Sequence, residues 1–369
     1  MLLRPSTLPR RVATRRHVTT MAAGVASWAA TPAAEAVPVA RDVMRTVFGE
    51  RGDKPLSPSM SRYLWTDAHG VLNFISLARE TGDASYLDKA DALVEAVHDT
   101  LGRTRDGKRA LPTLRIGKES AEDDGTYFHY LTKWCLALNR LSLARGDPSY
   151  NERALHLAKR THRAFVYETP GGTLHSYWKM NMDMSRPLVP SEGNLDAFDA
   201  LSVYTLIKES APPEQQALLA NEVRDMESMV QRKLALGGFV STDALDLGEA
   251  LQTAAWHPAQ PWARVLADRA LAALEVLWQR GSFEEADRHR LAFREFGTTI
   301  GVQVHPSSRD AWRPRVRALH AHWQRSLYGR DRDITPAMFA SSLLPGAFSR
   351  AYDNLPPVPR APPAQAKEE

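Results

Sequence analysis

Five places along this chain gather carboxylates, aromatic rings and imidazoles within a few residues of one another. The first reads Trp65-Thr66-Asp67-Ala68-His69-Gly70, the second Asp123-Asp124-Gly125-Thr126-Tyr127-Phe128-His129-Tyr130. The third has His175, Tyr177, Trp178 and Lys179, followed by Ser191-Glu192-Gly193-Asn194-Leu195-Asp196. The fourth holds Asp246 and Glu249, with Trp256 and His257 behind them, and the fifth is Arg294-Glu295-Phe296-Gly297. Two carboxylates can act as acid and base, or acid and nucleophile, at a glycosidic bond, while flat aromatic faces stack on pyranose rings. Asp67, Asp124, Glu192 and Asp196 are therefore the candidate catalytic carboxylates. Trp65, His69, Arg115, His129, His175, Trp178, Lys179, Asn194, Glu249, Trp256, His257 and Glu295 are the candidate substrate contacts.

Position divides the roles. A helix amino end lowers a carboxyl pKa, so Asp67 and Asp124 suit a nucleophile or base, and Glu192, in a Trp-bearing loop, suits the general acid. Two other chemistries use the same residues. His69, His129, His175 and His257 could move protons in a sugar epimerase or isomerase, because imidazole titrates near neutrality. A glycan-binding envelope protein would use the rings and perform no reaction. Each acid also has a structural reading: Asp67, Asp124 and Glu192 can cap orphan amides at helix starts.

No other named chemistry is encoded. There is no His-Glu-x-x-His, phosphate loop, nucleophile elbow or paired-cysteine pattern. The single cysteine, Cys135, excludes an internal disulfide and a multi-thiolate metal site. Neither metal nor cofactor is expected. The formal charge of +4 comes from the leader: residues 1–36 carry five arginines and one acid, leaving 42 basic and 42 acidic residues elsewhere. That balance argues against nucleic acid as a partner. A carbohydrate is the expected ligand, and the oligomeric state is not encoded.

Helices must position these residues. Phe128, Leu131, Trp134, Cys135, Leu138 and Leu141 recur at steps of three and four, and their neighbours are apolar too, as in a helix covered on all sides. The next helix carries one apolar stripe (Ala154, Leu155, Ala158, Thr161, Phe165) opposed by charges, as in an outer helix. The couplet repeats. Inner helices are expected near 62–81, 125–145, 193–209, 245–257 and 290–304, and outer ones near 84–101, 148–166, 213–235, 260–280 and 309–327. Helices near 39–49 and 335–352 would complete a sixth pair. No strand pattern is long enough to predict a sheet. Inner-to-outer turns are short, as at Gly82-Asp83 and Gly146-Asp147, whereas the loops 102–124, 167–192, 236–244 and 281–289 are long. An up-down ring puts all long loops at one end, where the inner helices begin and where function is expected. The basic residues Arg103, Arg105, Lys108, Arg109, Arg115 and Lys118 in the first long loop could fold over that mouth and meet an anionic sugar.

The termini read differently. Arg15-Arg16, a weakly apolar Ala-rich stretch and Ala34-Glu35-Ala36 form the parts of a twin-arginine export signal over residues 1–36. The same composition allows a mitochondrial presequence, or a disordered leader on a cytoplasmic protein with Met21 as another start. The toroid would span 37–353, and the Pro-rich residues 354–369 would be a disordered tail. No apolar run is long enough for a membrane span.

The repeated turn Thr81-Gly82-Asp83-Ala84-Ser85-Tyr86-Leu87, its echo at 145–150 and the acidic inner-helix starts resemble the six-hairpin glycosidase superfamily of (α/α)6 toroids, over about residues 60–330. Trp178-Lys179, Ser191 to Asp196 and Leu291 to Gly297 resemble an uncharacterised bacterial and fungal branch. The resemblance implies an all-α toroid and glycoside hydrolysis by two acids in a central cleft. The tandem Asp123-Asp124 is similar to the paired acids of endo-mannanase-like members, and Asp67 to inner-helix acids of unsaturated glucuronyl hydrolases.

Overall fold

The computed structural model describes residues 28–54, 62–117 and 124–359. Its architecture is an (α/α)6 toroid. The inner ring consists of α2 (Leu64–Thr81), α4 (Phe128–Arg145), α6 (Asp196–Ser210), α9 (Ala244–Ala255), α11 (Ala292–Val304) and α13 (Ile334–Leu343). Each touches the next, and α13 returns to α2. Outside them lie α3 (Ser85–Leu101), α5 (Pro148–Phe165), α8 (Ala220–Ala235), α10 (Pro261–Gln279) and α12 (Arg309–Trp323). The sixth outer helix is α1 (Ala33–Phe48), packed on α13, so the two ends of the chain close the last hairpin. A short α7 (Pro213–Gln216) leads into α8.

Burial follows the two sequence patterns. In α2 every residue from Leu64 to Ala78 is buried, whereas α5 buries Ala154, Leu155, Ala158, Thr161 and Phe165 and leaves Glu152 and Arg153 in solvent. The repeated turn also has a local cause. Gly82 and Gly146 end α2 and α4 in the left-handed conformation (φ 72° and 67°), which glycine adopts without a Cβ penalty. Asp83 and Asp147 then accept the amides of Ser85 and Ser149 at 2.9 and 3.0 Å, starting the outer helices. Between α9 and α11 the backbones come so close that a Cβ on Gly248 would lie 2.2 Å from the Gly297 carbonyl oxygen.

Three expectations need correction. The long loops contain strands: β2 (Val166–Glu168) pairs with β3 (Leu174–Ser176), and β1 (Thr126–Tyr127) pairs with β4 (Lys179–Met180), which pairs with β5 (Pro187–Val189). At two or three residues each they are too short to show alternation. At the start of the chain, Ala34-Glu35-Ala36 lies inside α1 rather than in a leader, and Ala36 is buried. Residues 28–30 also dock on the toroid: Arg309 stacks on Trp28, Gln303 accepts the Ala30 amide at 2.8 Å, and Arg313 and Arg317 donate to the Ala29 and Ala30 carbonyls. At the other end, Val358 is buried and its amide donates to the Ala144 carbonyl at 2.9 Å, so the tail is ordered through residue 359. Residues 1–27 and 360–369, with the Arg15-Arg16 pair, lie outside the described residues. No described helix is long and apolar enough to cross a membrane.

Candidate functional site

The long-loop end of the ring opens into a cavity of about 940 Å³. All six inner helices present a first or second residue to it: Trp65, His129, Asp196, Leu245, Phe293 and Ile334. One wall is aromatic. Trp65 packs against Tyr130 and His129, and Tyr127 and Trp178 extend the cluster outward. The β1–β4 pairing places Trp178 there, because register couples Tyr127 to Lys179 and the Phe128 amide donates to the Trp178 carbonyl at 3.1 Å. The hydroxyls of Tyr63 and Tyr130 meet at the cavity edge.

The floor is acidic. Asp196 and Asp199 lie one turn apart on the same face of α6, and Glu249 reaches in from α9. Lys133 of α4 pairs with Glu249 and lies 5.2 Å over the Trp65 ring. Asp199 accepts the Thr253 hydroxyl. Burial pushes its carboxyl up to about 7, with Lys133 opposing and the neighbouring Glu249 and Asp196 adding to the rise. Asp196 Oδ1 stands 3.6 Å from His129 Nδ1, too far for a hydrogen bond. Its Oδ2 is buried without a partner, as are Trp65 Nε1 and His129 Nδ1. Such unpaired atoms are costly unless a ligand or water satisfies them.

Of the four carboxylates nominated from sequence, Asp196 and Glu192 line this cavity. Glu192 is clasped by His175 at 2.8 Å, Lys233 at 3.2 Å and Arg232. Burial would raise its pKa, but the two cations outweigh that and hold it below the ordinary value, which suits an anchor and not a proton donor. Asp124 is no helix cap. It accepts Arg105 at 2.9 Å, Arg115 at 3.0 Å and the amide of the lining residue Gly117 at 3.1 Å, and does not itself line the cavity. Asp67 sits behind the aromatic wall, paired with Arg62 at 3.0 Å, and burial raises its carboxyl to about 7. Asp123 and Lys118 fall outside the described residues.

The nominated contacts divide likewise. Trp65, His129, Trp178, Asn194 and Glu249 line the cavity. His69 does not: one turn further along α2 than Trp65, it is sealed in the core against Ser341 and Phe348. The helical position equivalent to His129 is Trp65, both being second residues of their helices. Trp256 and His257 lie at the far end of α9, about 18 Å from its start at 1.5 Å per residue. There His257 meets Ser202, and Arg140 stacks on Trp256. Glu295 is locked by Arg290 at 2.6 and 2.7 Å and by Trp323, and Arg115 serves Asp124. His175 and Lys179 stand behind the lining, on Glu192 and the Tyr127 ring.

Sequence reading missed Asp199, Lys133, Tyr63 and Asp333. Two were detectable, since Asp199 is three residues beyond Asp196 and Lys133 four beyond His129, each on one helical face. Asp333 lies beside Asp331 and Arg332 in a turn entering α13 that carries no motif.

No protein-family model matches the chain, and no curated protein matches it. Solved structures do match in fold. An α-mannanase of glycoside hydrolase family 76 from Bacteroides thetaiotaomicron superposes with a TM-score of 0.56 at 10% identity, covering 86% of this chain and 96% of that one. The six-hairpin toroid fold is therefore shared. A cellobiose 2-epimerase from Spirochaeta thermophila gives 0.55 at 10% identity, covering 85% and 98%. An inactive variant of an α-1,6-mannanase from Salegentibacter, with two adjacent aspartates changed to asparagine and α-1,6-mannotriose bound, gives 0.54 at 12%, covering 87% and 100%.

Proposed function

We propose that this protein is a carbohydrate-active enzyme, a glycoside hydrolase that cleaves an oligosaccharide or glycan in the cavity at the inner-helix starts. One observation carries the reading. Asp196 and Asp199 share one floor beneath an aromatic wall, and Asp199 is poised to hold a proton near neutrality. A proton-bearing carboxyl beside a second carboxylate is the arrangement glycosidic cleavage uses. Asp199 is the general acid, protonating the leaving oxygen. Asp196, one turn before it on α6, is the base or nucleophile at the anomeric carbon. Trp65 and Trp178 supply the platforms, and the cavity volume lies at the upper end for small-ligand pockets, which favours an oligosaccharide over a single ring.

Fold likeness to an epimerase leaves that chemistry open, but the lining does not favour it. Among the described residues His129 is the one histidine at the cavity, so a second imidazole for a proton relay is missing there. The test is release of reducing ends from a panel of oligosaccharides, with solvent deuterium exchange into free sugars run in parallel. Hydrolysis by the wild type that disappears in both Asp196→Asn and Asp199→Asn supports the reading. Retained hydrolysis in both variants, or deuterium uptake without hydrolysis, overturns it.

A further inference from the structure

The cavity floor holds a charged pair to which the proposed reaction gives no role. Lys133 and Glu249 are both buried, and their pairing joins the two helices that flank α6 in the ring, α4 and α9. Glu249 is fixed from two sides: Gln252 donates to its Oε1 at 2.9 Å, and Lys133 donates to its Oε2. The ammonium of Lys133 is fixed in turn, 5.2 Å over the Trp65 ring. One turn further along α9, Thr253 donates to Oδ1 of Asp199. Thr253 and Glu249 share a face of α9, which puts the general acid and the ion pair side by side. Among the described residues Lys133 pairs with Glu249 and not with Asp199.

That choice of partner matters for a group that must stay protonated. An ammonium close to a carboxyl favours the carboxylate, by about one to three pH units, and would strip Asp199 of the proton that a general acid gives up. The charges facing Asp199 among the described residues come from three helices. Burial does most to raise its carboxyl; Lys133 of α4 opposes the rise, and Glu249 of α9 and Asp196 of α6 add to it. Other charged groups nearby are held elsewhere. Asp246 of α9 accepts the Ser241 hydroxyl at 3.0 Å, Arg232 and Lys233 of α8 hold Glu192, and His129 of α4 stands 3.6 Å from Asp196. Lys133 is therefore the cation whose position decides the state of Asp199, and Glu249 decides where Lys133 sits.

We infer that Glu249 is a positioning residue for the general acid: by holding Lys133 to itself it keeps that ammonium off Asp199, which then carries a proton for the leaving oxygen. The inference rests on the proposed hydrolytic role of Asp199 and adds the control of its protonation. Without the Glu249 carboxylate, Lys133 turns to Asp199, the neighbouring carboxyl on the floor, and the acid becomes its counter-ion. A tie that only held α4 to α9 would change Tm on removal and leave the titration of Asp199 in place.

The test follows the Asp199 carboxyl by carbon NMR in the full chain labelled at aspartate Cγ, its resonance assigned by its loss in Asp199→Asn. The variants are Glu249→Gln and Lys133→Met/Glu249→Gln. In Glu249→Gln the midpoint is expected to drop by about one pH unit or more below the wild-type value of about 7. The double variant, which leaves no charge unpaired, should titrate no lower than the wild type, and it keeps the test decisive if the single variant fails to fold. In parallel, kcat/KM is measured against pH with mannose, glucose and xylose oligosaccharides. Its descending limb should move with the NMR midpoint, giving roughly a fivefold loss at pH 7 in Glu249→Gln and recovery in the double variant. A midpoint unmoved in Glu249→Gln, or lowered as far in the double variant, overturns the inference. A wild type that hydrolyses none of these probes, while the midpoints shift as expected, removes the proposed reaction and leaves Glu249 in control of Asp199.

Discussion

Asp199 carries the heaviest functional assignment of any single residue, and its environment makes that assignment testable in two ways. A general acid must be protonated to act, so kcat/KM should fall above pH about 7 as Asp199 ionises. Replacing it by asparagine should cost roughly 100-fold or more in turnover. The second test reads stability. The carboxyl titrates near 7 in the fold and at 3.8 in an unperturbed aspartate. Between those values the folded chain keeps a proton that the unfolded chain has lost, so this group makes stability fall as pH rises from about 4 to 7. Asp199→Asn removes that slope, and its Tm should gain on the wild type across the same interval, as melting curves at several pH values would show. A Tm difference that stays flat with pH would refute the assignment. Asp124 makes the contrast. Its oxygens are saturated by Arg105, Arg115 and the Gly117 amide, so Asp124→Asn should destabilise by roughly 3–5 kcal/mol in denaturant titration, because the buried Arg115 guanidinium loses its counter-charge, the exposed Arg105 adding little. Sequence could place both aspartates near helix starts. It could not show which one a loop arginine would claim, since Arg105 and Arg115 approach through the fold of 102–117.

At the scale of elements, the hairpins were readable because local rules decide them. The Gly82 and Gly146 turns combine a left-handed cap with an aspartate cap, and the alternation of fully apolar and one-sided helices states which is inner. Helix starts were less readable. An offset of one turn separates Trp65, at the cavity, from His69, in the core, and a periodic pattern locates a helix better than it locates its first residue. The short strands that flank Trp178 gave no signal, yet they fix the aromatic wall. The α9–α11 crossing provides an element-scale test. Gly248→Ala drives a methyl to 2.2 Å from the Gly297 carbonyl and should cost about 1–3 kcal/mol in urea unfolding. Gly171→Ala, where a Cβ meets nothing within 4 Å, should stay within about 0.5 kcal/mol. Equal costs at the two positions would mean that α9 and α11 do not pack as described.

For the whole molecule, ring closure is the event from which the rest follows. Six inner helices bring their amino ends to one cavity, and α1 completes the sixth pair by docking the start of the chain on α13 and α2. The alternation of short turns and long loops made this arrangement legible, while the contribution of residues 28–36 was hidden because their composition matches a leader. A chain beginning at Val37 should therefore melt several degrees lower than one beginning at Trp28, having lost the Trp28–Arg309 stacking and the Ala30–Gln303 bond. Unchanged melting of the Val37 form would remove that segment from the fold's support. The most direct measurement for the molecule is a crystal structure of Asp199→Asn with an oligosaccharide bound. The account predicts a sugar chain between Trp65 and Trp178, with its glycosidic oxygen within hydrogen-bond reach of residue 199 and Asp196 facing the anomeric carbon. A chain bound elsewhere on the toroid, or one lying in the cavity with both α6 side chains turned away, would contradict it.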